Sequence, residues 1–198
     1  MKRKTNGRAA VRLAALAGVL LLIGASLAVY LRVIKPWQMR QRYVLAYETT
    51  IAQQCAENQL DPYLVAAMIY CESTYYPGAV SGVGARGLMQ IMPETADWLA
   101  WRMELADFNY DQLFDPETNI KMGCAYLAFL HQRYDGDMRC MVAAYHCGQG
   151  QLDRWLKDPA YSSDGKTLAA LPENDTNKYL KWVLKVYEIY RELYPEAF

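Results

Sequence analysis

The sequence predicts a mostly α-helical body behind a single N-terminal membrane-spanning helix. Three observations carry this reading. Apolar residues in the body recur at helical spacing, and several of these segments open on an Asp or Pro where helices start. No stretch shows the sustained apolar–polar alternation of a half-buried strand. Residues 13–31, LAALAGVLLLIGASLAVYL, carry no charge, and about 20 apolar residues cross a bilayer as a helix. The 198 residues leave room for one domain of about 150 residues beside that segment, enough to bury a sizeable core.

The head comes first. Residues 1–12 form a short basic segment with Lys2, Arg3, Lys4, Arg8 and Arg12. Arg32, Lys35, Arg40 and Arg42 follow the apolar run, so the charge bias toward a cytoplasmic N-terminus is slight. Residues 13–31 are expected as an uncleaved transmembrane anchor, because signal-peptide cores are shorter, at roughly 7–15 residues. The other reading is a signal cleaved at Ser26-Leu27-Ala28. Residues 32–42 read as a linker, with Pro36-Trp37 at the membrane interface. Residues 43–198 form the body, expected on the extracytoplasmic side. The first 42 residues hold nine Lys/Arg and no acid, which leaves the body twelve basic and all 21 acidic side chains, net −9. An acidic body argues against nucleic acid as a partner.

Within the body, residues 43–58 place Val44, Ala46, Tyr47, Ile51 and Cys55 near one helical face. Gln59-Leu60 breaks the pattern. Asp61 reads as an N-cap with Pro62 at the first helical position, and this second helix runs to about Thr74. Glycines between 78 and 87 make a turn-rich connection. Pro93-Glu94 starts a helix through Trp98, Leu99 and Met103. Residues 105–114 read as irregular and acidic. Asp115-Pro116 opens a helix to about Tyr134, Asp137 opens a shorter one ending at Gly148, and residues 151–157 form one more. Residues 158–174 are a long loop of the kind that serves as a flap or cleft edge. The last helix covers about residues 175–194, with Tyr179, Trp182, Val183, Val186, Ile189 and Tyr190 expected inward. The 16 Tyr and five Trp suit sugar faces, but any single ring reads first as a packing residue.

The chemistry concentrates in residues 70–96, YCESTYYPGAVSGVGARGLMQIMPETA. Leu64, Met68 and Cys71 make one stripe of the second helix; Val65, Ile69 and Glu72 make its neighbour at the same spacing. Glu72 therefore lies beside the apolar face at the helix end. A partly desolvated carboxyl has a raised pKa and stays protonated near neutrality, the state a general acid requires. On spacing alone, an ordinary solvated glutamate in a last turn fits as well.

The order and spacing of four elements go further. They are Glu72-Ser73, then the run from Gly84 through Gly87-Leu88-Met89-Gln90 to Pro93, then Asp115-Pro116-Glu117-Thr118-Asn119-Ile120, then Ala143-Ala144-Tyr145-His146-Cys147-Gly148. Together they resemble the soluble-lytic-transglycosylase catalytic domain, in the goose-type branch of the lysozyme-like superfamily, over about residues 45–195. The resemblance implies an all-α, lysozyme-like domain that cuts the MurNAc–GlcNAc β-1,4 bond of peptidoglycan and forms a 1,6-anhydro ring without consuming water. It implies that Glu72 is the single catalytic carboxyl, acid then base. It also implies that Ser73, Met89 and Gln90 line the cleft and that Tyr145 lies near the acid. His146 stands where the family usually has Asn. Asp175-Thr176, with Tyr179 after it, stands where the family has Glu-Thr before the tyrosine of the last helix. Asp175 is one methylene shorter than that glutamate and also sits where a helix N-cap is expected, so a substrate role and a capping role both remain open.

The resemblance implies peptidoglycan strands as the substrate, and the apolar helix implies a membrane partner; cell-envelope machinery would be a compatible further partner. A water-using muramidase and a non-catalytic peptidoglycan-binding protein of the same fold are the rival readings. Five cysteines, Cys55, Cys71, Cys124, Cys140 and Cys147, read as buried free thiols ahead of one or two bridges. With two histidines and no paired ligand spacing, neither metal nor cofactor is expected.

Overall fold

The computed structural model describes residues 4–198 and is helical throughout, with two compact units, residues 1–43 and 44–198. Lys2 and Arg3 of the basic segment lie outside the described residues. In the first unit, helix α1 (Lys4–Val29) continues through a π turn (Tyr30–Ile34) into α2 (Lys35–Arg42). From Ala10 to Arg42 it is long and apolar enough to cross a membrane. Residues 32–42, expected as a linker, are therefore helical. Pro36 falls in the first turn of α2, where it forfeits no helical hydrogen bond of that element, and the wider π turn precedes it.

The second unit consists of α3 (Glu48–Asn58), α4 (Pro62–Ser73), α5 (Pro93–Arg102), a 3₁₀ turn (Tyr110–Phe114), α6 (Pro116–Arg133), α7 (Met138–Cys147), α8 (Gln149–Leu156) and α9 (Asp175–Leu193). Among the described residues no strand forms; only isolated bridges join Val80 to Arg86 and Arg86 to Ile91. Three helix starts follow the side chains that cap them. Asp61 accepts from Tyr63 N at 2.9 Å, Asp115 from Thr118 N at 2.8 Å and Asp137 from Cys140 N at 2.7 Å. Pro62 and Pro116 follow two of these caps, at a position whose N–H would lack an intrahelical partner anyway.

α3 starts five residues later than the pattern at residue 43 suggests, because Tyr47 takes a left-handed backbone (φ 60°) that no helix continues. α9 is capped by Asn174, whose side chain accepts from Asn177 N at 3.0 Å; this corrects the capping role expected of Asp175, which occupies the first helical position instead. The long loop after α8 is no loose flap. Leu168 and Leu171 are buried in it, and Asp164 accepts from Ser162 Oγ, Lys166 N and both the N–H and hydroxyl of Thr167.

α4 is the axis of the second unit. Leu64, Val65, Ala66, Ala67, Met68 and Ile69 are all buried, so the helix is enclosed on every side over this span rather than along one stripe. It packs most extensively on α9, and α3 packs on both α4 and α6. Burying such side chains stabilises by about 1.5–3 kcal/mol for each Leu, Val, Ile or Met. That fixes the direction in which α4 delivers its last turn, where Glu72 lies.

Candidate active site

Glu72 sits one residue before the end of α4, half-buried. Burial pushes its carboxyl up from 4.5 to about 7; the hydroxyl of Tyr179, donating to Oε1 at 2.5 Å, pulls in the opposite direction. Tyr179 projects from the second turn of α9, so the tight α4–α9 packing brings acid and donor together across 107 positions of chain. Burial and the neighbouring Glu72 charge hold the Tyr179 phenol well above its usual value, which keeps it a donor. No other carboxylate among the described residues contributes to the shift of Glu72.

A second layer backs Tyr179. The ring of His146, at the end of α7, lies against it with centroids 4.6 Å apart, and His146 Nδ1 is 3.1 Å from the hydroxyl of Thr176. Burial lowers the pKa of His146, and Asp175 partly opposes that. Asp175 itself does not join Glu72: its side chain is 87% exposed and paired with Lys178 at 3.0 Å, one turn along the helix.

The loop from residue 79 to 91 follows α4 in the chain and is held by its own backbone. Arg86 and Ile91 exchange both backbone hydrogen bonds, at 3.0 and 3.1 Å, and Gly87 N donates to Ala79 O at 2.9 Å. Gly87 has φ +77°, and a Cβ there would overlap Leu113 O and the Asn119 amide, so neither a side chain nor an ordinary backbone fits. Tyr145, beside His146 on α7, donates its hydroxyl to Met89 O at 2.8 Å and ties this loop to the helix that carries it.

Two expected contacts take a different form. Met89 is fully buried over Gly123, where any Cβ would strike its sulfur, so it supports the loop from beneath and does not line an open cleft. Gln90, with φ 48°, donates its amide nitrogen to Gly87 O at 2.9 Å and Ala79 O at 3.2 Å, so its amide braces the loop it belongs to. Ser73 Oγ bonds back to Ile69 O at 3.1 Å on its own helix.

One residue escaped the sequence reading. Asn119 is fully buried in the second turn of α6. Its side chain accepts from Met89 N at 2.8 Å and donates to Leu113 O at 2.8 Å and Arg86 O at 3.0 Å. A single amide thus pins the loop from residue 79 to 91 at two points. The available signal was its register: Asn119, Gly123, Leu127 and Leu130 fall on one buried line of α6, where an unpartnered amide would be costly. The five thiols are free, with Cys71 and Cys147 half-buried and the rest buried.

The comparisons with known proteins identify the family. The family model for the transglycosylase SLT domain matches residues 49–167, more than half of the chain. The soluble lytic murein transglycosylase of Escherichia coli (strain K12) is 32% identical over 160 residues, covering 79% of this chain and 25% of that protein. The membrane-bound lytic murein transglycosylase C of Serratia proteamaculans (strain 568) is 37% identical over 110 residues, covering 51% and 29%. Among solved structures, the 70 kDa soluble lytic transglycosylase of Escherichia coli superposes with a TM-score of 0.69 at 30% identity, over 78% of this chain and 25% of that one. The chain spans about a quarter of the length of the first curated relatives it matches. With its helical body, its half-buried glutamate at the end of α4 and this family match, the chain belongs to the transglycosylase SLT-domain family.

Proposed function

We propose that the chain is a membrane-anchored peptidoglycan lytic transglycosylase that cleaves the MurNAc–GlcNAc β-1,4 bond and leaves a 1,6-anhydro-MurNAc end. The observation that carries this reading is Glu72: one half-buried carboxyl, shifted to about 7 and held by Tyr179, with no second carboxylate among the described residues acting on it. Glycosidases that use water or a carboxylate nucleophile work with a pair of carboxyls. A lone carboxyl suits a reaction in which the substrate supplies the remaining groups.

Glu72, protonated, gives its proton to the leaving glycosidic oxygen as the C1–O bond breaks. The N-acetyl oxygen of MurNAc attacks C1 and holds the positive charge that develops there. The Glu72 carboxylate then removes the proton of the C6 hydroxyl, O6 displaces the N-acetyl oxygen at C1, and the 1,6-anhydro ring closes. Glu72 ends protonated and no water is consumed. Tyr179 fixes one carboxyl oxygen and leaves the other for both transfers. The Gln90 carbonyl, Ser73, His146 and Tyr145 stand as the substrate-facing polar groups, with Met89 beneath; Asp175, exposed and paired with Lys178, takes no part in the proton transfers.

Residues 13–31, inside the long apolar helix from Ala10 to Arg42, anchor the protein, residues 1–12 stay in the cytoplasm, and residues 32–42 lead to the body from residue 43, which reaches the wall outside. Membrane and glycan strands are then its partners, and envelope machinery that needs a local opening in the wall is compatible with the same activity. Mass spectrometry of fragments released from purified sacculi tests the reaction. Anhydro-muramoyl ends, one water lighter than reducing ends, are expected; reducing ends would identify a muramidase instead.

A further inference from the structure

Half-buried aromatic rings continue away from the Glu72 site along α6 and α5. Tyr145, whose phenol is pushed up by burial and by the Glu72 charge, meets Tyr126 with ring centroids 5.3 Å apart. Tyr126 stacks on Phe129 at 6.3 Å and 11°, and Trp98 packs edge-on against both, at 6.1 and 4.9 Å. Packing between α5 and α6 explains why the rings touch. It does not explain why all four keep part of their surface exposed, when the apolar side chains Leu99, Leu127 and Leu130 on the same two helices are fully buried.

Three details point to a ligand on this strip. The Tyr126 hydroxyl makes no hydrogen bond among the described residues. Arg102 is exposed, lies over Trp98 at 5.5 Å and Phe129 at 5.8 Å, and pairs with no carboxylate among the described residues, in a body of net negative charge. Ala125, one turn before Phe129 on the same face of α6, is too small to cover the rings. Flat rings edged by a free hydroxyl and a guanidinium present the chemistry that holds pyranose sugars: apolar C–H faces against the aromatic faces, with hydroxyl and carboxylate oxygens at the rim.

We infer that Trp98, Phe129 and Tyr126 form an accessory glycan-binding strip, continuous through Tyr145 with the Glu72 site, which holds sugars of the same strand beyond the bond being cut. This rests on the proposed peptidoglycan substrate. It makes Trp98 and Phe129 specificity residues for long strands rather than members of the proton-transfer machinery.

The test uses the full-length chain carrying Glu72→Gln, in detergent and labelled with 5-fluorotryptophan, titrated with a ladder of β-1,4-linked N-acetylglucosamine oligomers. The long oligomers are expected to shift the fluorine resonance of Trp98, assigned by its loss in Trp98→Leu. Trp98→Leu and Phe129→Leu keep apolar bulk but lose the ring face, and each should weaken binding of long oligomers about fivefold at unchanged melting temperature. A Trp98 resonance unmoved at saturating oligomer, leucine variants that bind as tightly as the parent, or no binding by any oligomer would each overturn the strip. Cleavage of sacculi by the wild-type chain, measured in parallel, reports separately on Glu72, so failure of the strip and failure of the proposed reaction are told apart.

Discussion

Glu72 is poised between two opposing effects. Burial favours its neutral form, and the Tyr179 hydrogen bond favours the ionised one; burial prevails and the carboxyl titrates near 7. Because the first step needs the proton in place, kcat/KM should fall as pH rises through about 7. Tyr179→Phe removes the donor to the carboxylate, so a pH–rate profile of that variant should show this limb moved to higher pH and kcat reduced about tenfold, or ~1.4 kcal/mol. The same shift links pH to stability. The folded pKa lies above the unfolded value of 4.5, so the folded state binds more protons between 4.5 and 7, and stability declines as pH rises through that window. Glu72→Gln lacks this titration. Thermal melts should show the variant gaining up to ~3 kcal/mol on the wild type between pH 4.5 and 7, and no difference in slope below it. Asp175 carries an opposite expectation. It is exposed, paired with Lys178 and not the helix cap, so Asp175→Asn should leave the melting temperature nearly unchanged and turnover within about twofold, as steady-state kinetics would show.

The elements show which parts of this arrangement could be read in advance. The starts of α4, α6 and α7 were legible because a short carboxylate at the cap is a local signal that needs no tertiary partner. The start of α3 was not, since the left-handed Tyr47 is imposed by surroundings and carries no turn residue to announce it. At α9, Asn174 and Asp175 are both capable caps, and only the fold chooses between them. The position of Glu72 beside an apolar face was visible in helical spacing; its Tyr179 partner, 107 residues away, was reachable only through the family pattern. The role of Asn119 was hidden because its three partners are backbone atoms and a segment distant in sequence. That role is testable. Asn119→Ala leaves Met89 N and Leu113 O short of a partner in the interior and takes one of the two bonds from Arg86 O, which should cost about 3 kcal/mol or more in chemical denaturation and loosen the loop from residue 79 to 91.

At the scale of the molecule, the proposed function assigns attachment to the basic, apolar head and chemistry to the acidic helical body. If the head is an anchor and not a cleaved signal, membrane-extracted protein should keep its N-terminus, whereas cleavage after Ala28 would release a form beginning at Val29. The account as a whole stands on Glu72 as the only carboxyl of the reaction. The direct measurement is the release of soluble glycan from purified sacculi by the full-length chain and by Glu72→Gln, with circular dichroism establishing that both are folded. The account predicts release by the wild type and a loss of about a thousandfold or more in the variant, because an amide performs neither proton transfer, ~4 kcal/mol in the barrier. A folded Glu72→Gln protein that releases glycan at a rate close to wild type would contradict it.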